Sequence, residues 1–250
     1  MKKNQGPTPI AVASHNNRQQ AFSLIELLVV IAIIAVLAAI LTPAISSVRT
    51  HVYISTTANN LRNLQTANQM YAQDNRGVYL TSKQPVFEDG RWKIDSNSHW
   101  VTYKPFTQFL DAPEPGWKSH EYLHAARTGD PDAARSTYGK SSIGLNTTGP
   151  NNTSHHGNAQ SVHENAPTIH NVRNPSKAMA FADAVDYQVA SNRATLYISE
   201  EKGPYGKMAI AYRYKGKATV VYYDGSIGRV AMEDITPKDA HEDFWVAMQP

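Results

Sequence analysis

The stretch from Phe22 to Ile45 constrains this chain more than any other. Of its 24 positions only Ser23, Glu26, Thr42 and Pro43 are polar or helix-breaking, and Leu27–Leu41 is fifteen apolar residues without interruption. A helix needs about 20 mostly apolar residues to cross a hydrocarbon core about 30 Å thick, and this run meets that length. Its Ile, Val, Leu and Ala leave no polar stripe for a soluble core helix to turn outward. A secretory signal peptide or an ordinary signal anchor would also explain an apolar run near the N-terminus. Neither explains Glu26, because a carboxylate at membrane depth is costly and calls for a partner.

Composition narrows the chemistry. The 250 residues include no cysteine, which excludes disulfides, thiolate metal sites and cysteine nucleophiles. That length suits an anchor plus one domain with a real core. Of the 24 Lys and Arg side chains, Lys2, Lys3 and Arg18 precede Phe22, where there is no acid; the other 21 balance the 21 acidic side chains. Without its first 21 residues the protein is neutral, so the pI does not indicate a nucleic-acid-binding surface.

The order Ala21-Phe22-Ser23-Leu24-Ile25-Glu26, followed by the apolar run, resembles the N-terminus of type IV prepilins and type II secretion pseudopilins. The resemblance implies that a prepilin peptidase cuts between Ala21 and Phe22 and methylates the new amine. Residues 1–21 would then be a cleaved basic leader, and 22–45 a transmembrane and assembly helix kept in the mature protein. Ala21 stands where Gly is commonest in that family. Pro43 falls where a pilin helix often carries a proline, and it should kink the helix. For Glu26 the resemblance implies a role in assembly, opposite the Phe22 amine of a neighbouring subunit. The implied partners are the prepilin peptidase, other pilin or pseudopilin subunits in a homo- or hetero-filament, and an inner-membrane assembly platform. The implied location is the inner membrane, single-pass, with the N-terminus cytoplasmic and the head periplasmic, and later a filament in the periplasm or at the cell surface. A modest charge bias agrees, with Lys2, Lys3 and Arg18 on one side of the run and Arg49 and Arg62 on the other.

Residues 46–76 read as an amphipathic continuation of the helix. Residues 46–75 contain neither Gly nor Pro, and Ile54, Ala58, Leu61, Leu64, Ala67 and Tyr71 recur at steps of three and four. Asn60, Arg62, Asn63, Thr66, Gln69 and Gln73 take the other face. Asn75-Arg76-Gly77 is a stop signal. A helix from Ser23 to Asn75 would be about 80 Å long, with its second half packed on a sheet and its first half projecting as a stem.

Residues 77–250 form the expected head, with long irregular loops. Strands are predicted over 178–184, 194–199 and 208–214, and a hairpin over 218–232. The hairpin turns at Asp224-Gly225, a pair suited to a type I′ turn. The 145–167 stretch, rich in Asn, Gly, Ser and Thr, predicts a long surface loop or a mobile segment. Helix, irregular elaboration and antiparallel sheet make an α+β fold of pilin-like layout. The segments 174–184 and 217–230 loosely resemble the close of pseudopilin-like proteins that end in a His-x9-Asp-Gly motif. Here Asp224-Gly225 supplies the Asp-Gly part and Tyr214 stands where the histidine would be, so no role passes to that histidine.

Other candidate sites compete with plainer explanations. His155, His156, His163 and His170, with Glu164, could ligate zinc, but their spacing in a Gly- and Asn-rich stretch reads as solvated loop. Asp183, Asp186 and Asp224 are candidate oxygen ligands for calcium, without an EF-hand pattern. Trp92, Trp100 and Trp117 could form a glycan-binding face or pack loops onto the core. No glycine-rich phosphate loop or Ser/His/Asp arrangement is present, and no enzymatic role is expected. The expected function is a structural pilin or pseudopilin subunit. The alternative is a membrane-tethered extracytoplasmic binding module for a glycan or protein.

Overall fold

The computed structural model describes residues 23–101, 103–110, 143–148, 159–197, 208–236 and 238–247. It divides into two units, Met1–Val48 and Arg49–Pro250. One helix, α1 (Leu24–Asp74), contributes to both, and the fold class is α+β, as the sequence predicts.

Within the second unit, α1 buries the face that its periodicity picks out. Leu61, Leu64, Ala67 and Tyr71 are buried, while Arg62, Asn63, Thr66 and Gln73 are exposed. The helix stops at the expected signal. Arg76 (φ 57°) and Gly77 (φ 82°) are both left-handed, and the Gly77 N–H donates to the Ala72 carbonyl at 2.7 Å, which satisfies an orphan carbonyl of the last turn.

Two sheets follow. β1 (Lys83–Glu88) and β2 (Arg91–His99) form an antiparallel hairpin. The second sheet contains β3 (Ile143–Asn146), β4 (Met179–Asp183), β5 (Gln188–Val189), β6 (Lys217–Tyr222) and β7 (Ile227–Ala231), in the order β5-β3-β4-β6-β7. It is mixed rather than wholly antiparallel, because β3 and β5 run parallel. Short helices α2 (Lys104–Thr107), α3 (Ala159–Glu164) and α4 (Glu242–Trp245), and 3-10 turns at Ser191–Arg193 and Lys238–His241, complete the regular structure among the described residues.

Alternation along β6 divides its side chains between two cores. Val221, and Tyr223 just past the strand, pack with Leu61 and Leu64 of α1, and with Trp100, Phe106 and Phe181. Ala218 and Val220 join Met179, Ile210, Ile235, Phe244 and Trp245. Both faces of the sheet are thus apolar and covered, and α1 is one of the covers. Tyr79 and Tyr223 meet edge to face at 4.9 Å in the first core. Burial pushes both phenols above their ordinary range.

Several expectations need correction. The 218–232 hairpin forms, but its turn is not type I′. Gly225 is left-handed (φ 88°) and Asp224 is not. The Gly225 N–H donates to the Tyr222 carbonyl at 2.9 Å and the Tyr222 N–H to the Ser226 carbonyl at 3.0 Å. This is a three-residue loop, a turn followed by a left-handed glycine. The Tyr223 and Asp224 amides are tied to the Ala178 and Pro175 carbonyls, which holds the first half of the loop away from the mirror-image geometry. The type I′ signature occurs instead at Asp89 (φ 51°) and Gly90 (φ 77°), between the paired Glu88 and Arg91.

The first residues of the 145–167 stretch are not a surface loop. Leu145 and Asn146 belong to β3 inside the sheet, and Thr147 and Thr148 are buried beside it. Ala159–Glu164 is helical. Among the described residues of 194–199 there is a turn and no strand. Residues 208–214 make only isolated bridges at Ile210 and Tyr214. Both neighbours of β4 are already taken by β3 and β6, so this segment bonds around the end of β4, through Ala211 N–H to the Asp183 carbonyl and Val185 N–H to the Ala209 carbonyl.

Gly225→Val is expected to destabilise the folded head by about 1 kcal/mol or more. A Cβ at Gly225 would meet nothing within 4 Å, so the penalty comes from the backbone alone. Urea melts of the full chain, followed by near-ultraviolet dichroism, should show a lower midpoint at unchanged slope. An unchanged midpoint would refute the left-handed assignment.

Candidate processing and assembly site

The N-terminal end of α1 is built from Ser23 and Glu26. Ser23 precedes the helix, and Glu26 is the acidic residue of its first turn. The Ser23 N–H donates to Glu26 Oε2 at 2.9 Å. Ser-x-x-Glu is the capping-box order, in which the glutamate reaches back to the N-cap amide and satisfies an orphan donor. The carboxylate also sits at the positive end of the helix dipole. Ser23-Leu24-Ile25-Glu26 carries this signal in the sequence itself.

Downstream, 27–48 carries no charged side chain, and Leu27, Leu28, Ile31, Ile34, Leu37 and Leu41 are each more than half exposed. By length and composition α1 can cross a membrane. The Thr42 hydroxyl donates to the Ala38 carbonyl at 2.7 Å, which removes one polar group from an apolar surface. Pro43 lies inside α1, which is helical on both sides of it. Having no N–H, it cannot donate to the Ala39 carbonyl.

The other sequence-derived sites fare differently. Ala21 and Phe22, on either side of the expected cleavage point, lie outside the described residues, as do His155, His156 and Trp117. His163 lies in α3 and His170 in an exposed turn. The candidate calcium ligands do not converge. Asp183 is fully buried, with Oδ1 3.6 Å from Arg213 Nη1 and Oδ2 accepting from the Thr219 N–H at 3.2 Å. A guanidinium therefore stands where a cation would. Asp186 is buried and accepts from the Tyr187 N–H at 2.6 Å, whereas Asp224 caps its own loop through Ser226. Among the described residues no three His, Asp or Glu side chains form a metal-binding group. Trp100 is fully buried and its indole N–H donates to the Tyr187 carbonyl at 2.7 Å, so it is core rather than part of a glycan-binding face. Tyr214 is buried, with its ring 6.3 Å from Tyr53 of α1.

Residues 16–42 match the model of the prokaryotic N-terminal methylation motif. The match covers the Ala21-Phe22 junction, the Ser23–Glu26 cap and the apolar first part of α1. It supports a prepilin-type N-terminus, a substrate of the peptidase that such motifs address, and single-pass anchoring by α1. No curated protein and no solved structure matches the chain.

What periodicity did not reveal is how α1 is tied to the head by polar groups. Gln65 and Asn68 are buried on its packed face. Gln65 and Gln69 both donate to the Tyr223 carbonyl, at 2.8 and 3.0 Å, and the Asn68 amide oxygen accepts from the Leu80 N–H at 2.9 Å. The available signal was position: Asn68 is four residues beyond Leu64 on the buried stripe, where a polar side chain needs a partner.

Proposed function

We propose that this protein is a pilin-like structural subunit, cut between Ala21 and Phe22 by a prepilin peptidase and methylated on the new amine. It is held in the inner membrane by α1 with its head outside, and it is drawn into a type IV pilus or a type II secretion pseudopilus. The methylation motif over 16–42 carries the reading. The exposed apolar flank of α1, with Glu26 as its one charge before Arg49, supports it. Such a flank needs lipid before assembly and other helices after it. Helices gain little hydrophobic energy on leaving lipid for one another, so packing and polar pairing must select the contact.

The test is recovery in fibres. Filaments sheared from native cells, and pseudopili released with detergent, are probed with antibody against the head. The expected result is processed chain in the fibre fraction. Chain found only in the membrane fraction, in cells that are making filaments, would contradict assembly.

A further inference from the structure

A cleft of about 270 Å³ lies between the C-terminal end of α1 and the β1–β2 hairpin. Three aromatic residues line it: Tyr71 from the end of α1, Trp92 from β2, and Tyr103 just before α2. The rings of Tyr71 and Tyr103 meet edge to face at 6.3 Å. Phe87, itself 59 % exposed, stands edge-on to Trp92 at 5.2 Å and extends the aromatic surface beyond the cleft.

The polar lining is fixed in position. Gln84 Nε2 donates to the Thr81 carbonyl at 2.6 Å, the Thr81 hydroxyl donates to the Lys83 carbonyl at 2.7 Å, and the Tyr71 hydroxyl reaches Gln84 Oε1 at 3.5 Å. Burial, and then the neighbouring Tyr103, push the Tyr71 phenol well above its ordinary range, so it stays a neutral hydroxyl. At the helix end Asp74, Asn75 and Arg76 add a carboxylate, an amide and a guanidinium. Asn75 Nδ2 is committed to the Tyr71 carbonyl at 2.8 Å, which leaves its amide oxygen as an acceptor. The left-handed backbone at Arg76 sets where its own side chain leaves the helix end.

The lining has a particular chemistry. Its one carboxylate and one guanidinium cancel, which disfavours a strongly charged ligand such as a phosphate. Aromatic faces beside mixed donors and acceptors suit a molecule with an apolar C–H face and a hydroxyl edge. The volume is just below the usual range for drug-sized ligands, enough for one small ring. We infer that this cleft binds one neutral pyranose ring of a larger glycan, with Trp92 as the stacking platform and Asp74, Asn75 and Arg76 reading the hydroxyls. This binding goes beyond the assembly function and does not depend on it, since every residue involved lies in the second unit.

The experiment is saturation-transfer NMR on the full chain in a polyoxyethylene detergent, whose head group contains no sugar. The probes are the methyl glycosides of glucose, galactose, mannose and N-acetylglucosamine, with glucuronate as the charged control. The expected result is transfer to the ring C–H protons of at least one neutral glycoside and weaker transfer to glucuronate. Trp92→Ala and Asp74→Ala should each weaken binding about tenfold, the size of one good contact. Melting curves accompany both variants; if Trp92→Ala fails to fold, Asp74→Ala, exposed at the helix end, decides. Glu26→Ala should bind as the parent does, which separates failure of the cleft from failure of assembly. No transfer to any neutral glycoside, transfer unaltered by Asp74→Ala, or strongest transfer to glucuronate would overturn the inference.

Discussion

Glu26→Ala is expected to abolish or greatly reduce sheared-fibre yield while leaving membrane insertion and most processing intact. A carboxylate near the bilayer interior costs on the order of 3 kcal/mol on insertion scales, so its removal should not hinder insertion. In the assembled fibre the same group would face the methylated amine of a neighbour's Phe22, and an unpaired charge there is heavily penalised. The pair would thus set axial register, which apolar packing alone defines poorly. The hydrogen bond from the Ser23 N–H to Glu26 Oε2 offers a competing explanation, in which Glu26 only caps its own helix. Two variants separate these roles. Glutamine satisfies a capping box as glutamate does but has no charge, so Glu26→Gln should assemble as poorly as Glu26→Ala. Glu26→Asp keeps the charge on a shorter arm and should be intermediate. Fibre yield is measured with membrane-bound and processed chain quantified alongside. Normal yield from Glu26→Gln would show that the cap matters and the charge pair does not.

Arg213→Met is expected to lower the stability of the head by about 3–5 kcal/mol, because it strands a buried carboxylate. The Asp183 and Arg213 side chains are 0 % and 2 % exposed and lie 3.6 Å apart. Arg213 Nη2 also donates to the Ala184 carbonyl at 2.7 Å. A loss of this size is a large part of the 5–15 kcal/mol that holds a typical domain folded. It corresponds to a fall in melting temperature of roughly 10 °C for a chain of this size. The double variant Asp183→Asn/Arg213→Met removes both charges and should recover part of the loss. Calorimetry of the full chain reads both, and a melting temperature unchanged in the single variant would mean that the pair is not buried.

The parts of the fold that depend on local periodicity were legible in the sequence. The spacing from Ile54 to Tyr71 marks the buried face of α1, and Asn75-Arg76-Gly77 marks its end. The 218–232 hairpin was visible from its alternation. Its turn departs from type I′ because Asp-Gly fits two loop geometries, and the ties to Pro175 and Ala178 that choose between them are long-range. The same Asp-Gly signal stands in Glu88-Asp89-Gly90-Arg91, where it does form the turn of the β1–β2 hairpin. β3 was hidden because Asn146 and Thr147 look like loop residues. Asn146 Nδ2 donates to the Met179 and Trp245 carbonyls, and Thr147 Oγ1 to the Val189 carbonyl, so their polarity is satisfied within the core. The regularity of 208–214 suggested a strand, but pairing depends on a free neighbour, which composition does not encode. The processing motif was legible because it is a short linear string. The cleft was not, because Tyr71, Gln84, Trp92 and Tyr103 meet only through the fold.

The most direct measurement is mass spectrometry of the N-terminal peptide of the protein from native membranes. The account predicts a chain that begins at Phe22 with one added methyl on its amine and retains all of α1. A chain with Met1 intact in cells whose prepilin peptidase is active, or a new terminus within residues 35–45, would contradict it.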